Sequence, residues 1–133
     1  GPRRTPELAG RFADEFNVYC GPLDEMAARI EVARAAAEHA GRDPEALLIS
    51  TAGVVVTGTT DAAYRSALEA ASERFQRPPD ELETSMRERN TPVGRDAAEV
   101  IDAIAGLGVE RVYLQMFGTD PERRSDMLEA LQA

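Results

Sequence analysis

The sequence predicts an α/β fold in which about three strands run parallel, with helices between and around them. Two observations predict it. Runs rich in β-branched and aromatic residues occur at 15–19, 47–57 and 109–117, and each is separated from the next by stretches of helical periodicity. The middle run, LLISTAGVVVT, is apolar with only loose alternation, the pattern of a strand covered on both faces. Strands joined through helices pair in parallel by right-handed crossovers.

Each element has its own local signal. Thr5-Pro6-Glu7 reads as a helix start, with Thr5 as cap, Pro6 in the first turn and Glu7 at the positive end of the dipole; the helix ends near Phe12. Glu15 to Tyr19 (EFNVY) is a short strand. Gly21-Pro22 opens a long helix in which Met26, Ile30, Ala33 and Ala37 form a buried stripe, and Gly41 stops it. After the loop at Arg42-Asp43-Pro44 comes the apolar strand from Leu47 to Thr57. Thr60-Asp61 caps a helix with Ala63, Tyr64, Ala67, Leu68, Ala71 and Phe75 along one side, and Pro78-Pro79 breaks it. Asp80 to Arg89 reads as a short polar helix and Asn90 to Gly94 as a loop. Arg95 to Leu107 is helical, with Val100, Ile101 and Ile104 inward and Gly108 as stop. Val109 to Phe117 is the last strand, and Asp120-Pro121 caps a final helix carrying Met127, Leu128 and Leu131. Residues 76–94 are polar, proline-marked and interrupt the alternation, so they read as an insertion within one domain spanning 1–133.

Three strands do not close a barrel, and an eight-stranded (β/α)8 barrel usually needs about 250 residues. The expected architecture is therefore the C-terminal portion of such a TIM barrel, its last third to half. The alternative is a small open α/β sheet complete in itself. Gly1 is not a natural initiator, so the chain is expected to have been cut or processed, and Gly1-Pro2 suits a protease-cleavage scar.

Composition narrows the function classes. A net charge of −9, spread along the chain, argues against nucleic acid, whose phosphates call for a basic face. No apolar run approaches the roughly 18–20 residues of a bilayer span, and no signal-peptide pattern is present. The lone Cys20 cannot form an internal disulfide; with the absence of a targeting signal this points to a cytoplasmic protein. All 15 basic residues are arginine, which reads as the codon bias of a GC-rich genome.

Four stretches in order carry a family resemblance: Gly1-Pro2-Arg3-Arg4-Thr5, Ala13-Asp14-Glu15-Phe16-Asn17, Ala40-Gly41-Arg42-Asp43-Pro44, and Val93-Gly94 to Val100 followed by Gly108-Val109-Glu110-Arg111-Val112-Tyr113-Leu114. Together they resemble luciferase-like monooxygenases and F420-dependent reductases. The resemblance implies a (β/α)8 barrel that binds FMN or coenzyme F420 at the C-terminal ends of its strands. It also implies either hydride transfer with a small organic substrate or activation of oxygen by reduced flavin. Which of these applies is set largely by the N-terminal half, which the resemblance places before Gly1. The Arg-only composition leans toward F420.

The candidate cofactor-binding residues are Gly1, Pro2, Arg3, Arg4 and Thr5. A turn feeding a helix N-terminus presents free N–H groups to a phosphate, and the two arginines can add charge-assisted contacts. Asn17 and Gln115 are the candidate substrate-binding residues, as amides near strand ends; Gln115 closes the last strand near Gly118 and shares its parity with Tyr113 and Phe117. His39 reads as a helix-end residue and Cys20 as a half-buried thiol; no metal site is expected. Glu69, Glu73, Glu81, Glu83 and Glu88 fall on helix surfaces. No set of residues forms a self-sufficient catalytic group, as expected where a cofactor carries the reaction. The isolated chain is expected to be inactive. A second reading is a stand-alone half-barrel that pairs with itself as a homo-oligomer or with a complementary half, because three strands leave two open edges and an uncovered apolar face.

Overall fold

Alternating strand-forming and helix-forming runs produce the order α1 (Arg4–Phe12), β1 (Glu15–Tyr19), α2 (Leu23–His39), β2 (Leu48–Val54), α3 (Asp61–Phe75), α4 (Pro79–Glu88), α5 (Ala97–Ala105), β3 (Arg111–Gln115) and α6 (Pro121–Leu131) in the computed structural model, which describes residues 1–117 and 120–132. A 3-10 turn, Pro44–Ala46, sits before β2; the Asp43 side chain caps it by accepting from the Glu45 N–H. The sheet has the order β1-β2-β3 and both pairings are parallel. This is the arc of a (β/α)8 barrel, as expected. The register places Asn17 beside Ser50, Ser50 beside Arg111, and Val54 beside Gln115.

Several boundaries moved for local reasons. The first helix starts at Arg4 and not under a Thr5 cap: Arg3 holds the cap position without a side-chain bond, and Thr5 lies in the first turn. Pro6 permits this, since the first-turn N–H groups have no intrahelical partner and its missing donor costs nothing there. The middle strand is shorter than 47–57 because its neighbours end at Tyr19 and Gln115. Beyond them Val56 makes one parallel bridge to Val93, inside what the sequence marks as a loop. The fifth helix begins at Ala97, because Arg95 and Asp96 are drawn into ion pairs with Asp61 and Arg87. Leu128 is exposed; Met127 takes the buried position of α6.

Side-chain alternation divides the sheet. One face carries Phe16, Val18, Ile49 and Thr51 into a core with Met26, Ile30, Ala33 and Ile104. A second cluster gathers Val56, Ala67, Leu68, Ala71 and Met127 with Leu82, Met86 and Val93, so the 76–94 segment contributes buried apolar side chains. The helix α1 approaches α2 closely at Gly10, where an added Cβ would stand 2.1 Å from the Ala33 carbonyl oxygen. Gly41 ends α2 with φ +77°, a conformation that suits a residue lacking a Cβ.

The opposite sheet face, which no helix covers among the described residues, corrects one expectation: it is not apolar. It presents Glu15, Asn17 and Tyr19 from β1, Leu48, Ser50, Ala52 and Val54 from β2, and Arg111, Tyr113 and Gln115 from β3, so its polar groups come mainly from the outer strands. In a barrel this face looks inward.

Candidate functional site

The inward face is polar mainly because β1 and β3 place their hydrophilic residues at the same parity, with Ser50 of β2 between them. Tyr113 Oη donates to Glu15 Oε1 at 3.1 Å, Arg111 donates to Tyr113 Oη at 3.2 Å, and the Arg111 guanidinium lies 3.6 Å from the Glu15 carboxylate. Asn17 Nδ2 donates to the Ser50 hydroxyl at 3.1 Å, and Ser50 is fully buried. The Ser50 hydroxyl, with further help from Tyr113 and Arg111, holds the Glu15 carboxyl below the usual carboxylate range despite some desolvation. These contacts tie the three strands together through side chains in the lower half of the sheet.

Toward the C-terminal strand ends the face opens. Tyr19 is 80% exposed and Gln115 is exposed at the tip of β3. A cleft of about 300 Å³ lies here, lined by Tyr19, Cys20, Gly53, Met86, Thr91 and Gln115 among others. Cys20 is half-buried, with its sulfur 3.3 Å from the Thr51 hydroxyl. A second cleft of about 310 Å³ runs beside β1, where Gly1, Pro2 and Thr5 meet Asn17, Tyr19 and Arg29.

The predicted site residues thus separate into groups. Gly1, Pro2 and Thr5 lie with Asn17. Arg3 and Arg4 line a different groove, between α1 and α2, and Arg3 pairs with Glu7 at 2.8 Å. Asn17 sits at the centre of β1, two residues before the end near which the sequence places it. Gln115 is the last residue of β3, which ends two residues before the expected Phe117; Gly118 lies outside the described residues. His39 is exposed at the end of α2. Glu83 departs from a free surface role: it accepts from the Tyr64 hydroxyl, and burial followed by that contact pushes the phenol's pKa well up. Sequence reasoning passed over Glu15, Tyr19 and Arg111 as site-face residues. Parity could have found them, since Glu15 and Tyr19 flank Asn17 at two-residue steps and Arg111 precedes Tyr113 by two. No group of three His, Cys, Asp or Glu able to hold a metal occurs among the described residues. No helix among them is long and apolar enough to cross a membrane.

Similar folds place this geometry. A long-chain alkane monooxygenase superposes with a TM-score of 0.66 at 16% identity, over 95% of this chain and 37% of its own. An F420-dependent secondary alcohol dehydrogenase, solved with an F420-acetone adduct, gives 0.66 at 15%, over 100% and 47%. The coenzyme F420-dependent tetrahydromethanopterin reductase of Methanopyrus kandleri gives 0.63 at 14%, over 98% and 47%. The chain spans less than half the length of each. No curated protein matches the sequence. The family model described as luciferase-like monooxygenase matches residues 2–133, nearly the whole chain. With three parallel strands and their inward polar face in hand, that match settles the family: the chain belongs to the luciferase-like monooxygenases.

Proposed function

We propose that the chain forms part of a flavin- or deazaflavin-dependent oxidoreductase or monooxygenase acting on a small organic substrate, with FMN or F420 as cofactor. The observation that supports this reading best is that Asn17, Tyr19 and Gln115 share the inward face, with Tyr19 bordering both the cleft that holds Asn17 and the cleft that holds Gln115. These residues fit a flat heteroaromatic ring: the two amides can each donate and accept, and Tyr19 offers an exposed aromatic surface. When bound, the cofactor supplies the redox chemistry, either hydride exchange with the substrate or oxygen activation by reduced flavin. This chain's share is binding and orientation. Asn17, its amide steadied by Ser50, and Gln115 hold substrate or ring edges, and the segment Gly1 to Thr5 serves the phosphate end. In that segment Gly1, Pro2 and Thr5 stand at the cleft, while Arg3 and Arg4 add positive field from the far side of α1.

Alone, the chain should bind either cofactor weakly or not at all; sub-micromolar affinity in a fluorescence titration would contradict this. At saturating FMN, NMR shifts should map to Asn17, Tyr19 and Gln115. Shifts confined to the α1–α2 groove would rule the placement out.

A second reading, a half-barrel that pairs with its complement or with another copy, has support in the sheet edges. Among the described residues β1 and β3 each pair with β2 alone. The polar inward face removes the hydrophobic argument for pairing and leaves only these backbone edges. Light scattering that finds a monomer at all concentrations would weaken self-pairing.

A further inference from the structure

The chain carries 24 acidic and 15 basic residues, yet no carboxylate lines the 300 Å³ cleft at the strand ends. Its wall holds Arg77 and Arg89, both exposed and neither ion-paired among the described residues. Elsewhere in this acidic molecule Arg3, Arg34, Arg42, Arg87, Arg95 and Arg111 each have a carboxylate partner. Two guanidinium groups and no carboxylate therefore line this one concavity, while the carboxylates of Asp80, Glu81 and Glu88 line the separate groove on the other side of Arg77. Below them the cleft is apolar, with Leu82 and Met86 buried in its floor and Phe75 at its edge. Both arginines and the two buried floor residues come from the 76–94 segment.

We propose that this cleft binds an anion with an apolar body, its head held by Arg77 and Arg89 and its body laid against Leu82, Met86 and Phe75. A guanidinium offers several fixed donors that match carboxylate, sulfonate or phosphate oxygens, and an apolar floor favours a hydrocarbon or ring next to that head. A neutral or cationic analogue of the same shape keeps the floor contacts and loses the head contacts. The anion is an acidic group of the substrate, because the phosphate end of the cofactor is assigned above to Gly1 to Thr5. That assignment rests on the function proposed above; the cleft's preference for anions does not.

The test titrates the 133-residue chain with octanoate, octanol and octylamine, reading amide shifts by NMR. Octanoate should bind at least about tenfold more tightly than octanol, the scale of one charge-assisted hydrogen bond, with shifts at Leu82, Met86 and Gln115. The exposed double variant Arg77→Gln/Arg89→Gln should abolish that preference and leave octanol binding unchanged, whereas Arg11→Gln/Arg124→Gln, both exposed and outside this cleft, should do nothing. Raised salt should weaken octanoate alone. FMN should not displace octanoate; displacement by FMN but not by riboflavin would put the cofactor phosphate in this cleft and overturn the assignment to a substrate group. Equal binding of octanoate and octanol, or octanoate binding that survives the double variant, would overturn the proposal. Arg-dependent octanoate binding with no cofactor shift at Asn17 or Tyr19 would sink the ring placement and leave the anion cleft standing.

Discussion

Glu15 illustrates what single residues do on the inward face. Its carboxylate is surrounded by Ser50, Tyr113 and Arg111, so it titrates below its ordinary 4.5 in the folded chain. A carboxyl whose folded pKa is depressed binds fewer protons in the native state than in the unfolded one. Its stabilisation is therefore present above about the ordinary value and disappears as pH falls through the lower, folded value. Urea midpoints measured between neutral and acidic pH should show this limb, and Glu15→Gln should flatten it. An identical acid limb in the variant would mean that the cross-strand contacts are not felt. These contacts were accessible from parity alone, but their partners were not, because Ser50 and Arg111 reach Glu15 only through register. The split of Gly1 to Thr5 was likewise beyond the sequence: where each side chain points depends on how α1 rolls against α2.

Elements meet through backbone as well as side chains. The α1–α2 contact depends on Gly10, whose position against the Ala33 carbonyl leaves no space for a methyl group. Gly10→Ala should destabilise the chain by about 1–3 kcal/mol in chemical denaturation, because the obstructing atom belongs to a helix backbone that cannot rotate aside. Gly21→Ala, with nothing within 4 Å, is the matched control and should change stability by less than about 0.5 kcal/mol. Equal effects would show that the helices are not packed as described. Element type and order were readable from periodicity; ends were less so. The helix starts at Arg4 and Ala97 and the limits of β2 and β3 all depend on neighbours: a first-turn proline, ion pairs from Arg95 and Asp96, and the length of the adjoining strands.

At the scale of the whole molecule, β2 is the strand paired on both sides. Amides of Ile49 to Ala52 should exchange most slowly with deuterium, while outward-directed amides of β1 and β3 should exchange faster. Strong protection along those outer edges, especially if it grows with concentration, would mean that further strands pair there. The same arrangement gathers residues far apart in sequence, from Tyr19 through Arg89 to Gln115, around one cleft at the strand ends. In barrel enzymes that end carries the chemistry, and the opposite end carries stability.

The sequence by itself determined the alternation of strands and helices, the parallel pairing, the buried stripes and the family resemblance, because these follow from local periodicity, turn residues and short motifs. Only the tertiary structure decided that the uncovered face is polar and cross-linked, that Arg3 and Arg4 turn away from Asn17, and that the polar segment at 76–94 feeds a core and walls a cleft. Such facts depend on register and on the roll of one element against another, and neither is encoded in the spacing of residues along a single strand or helix.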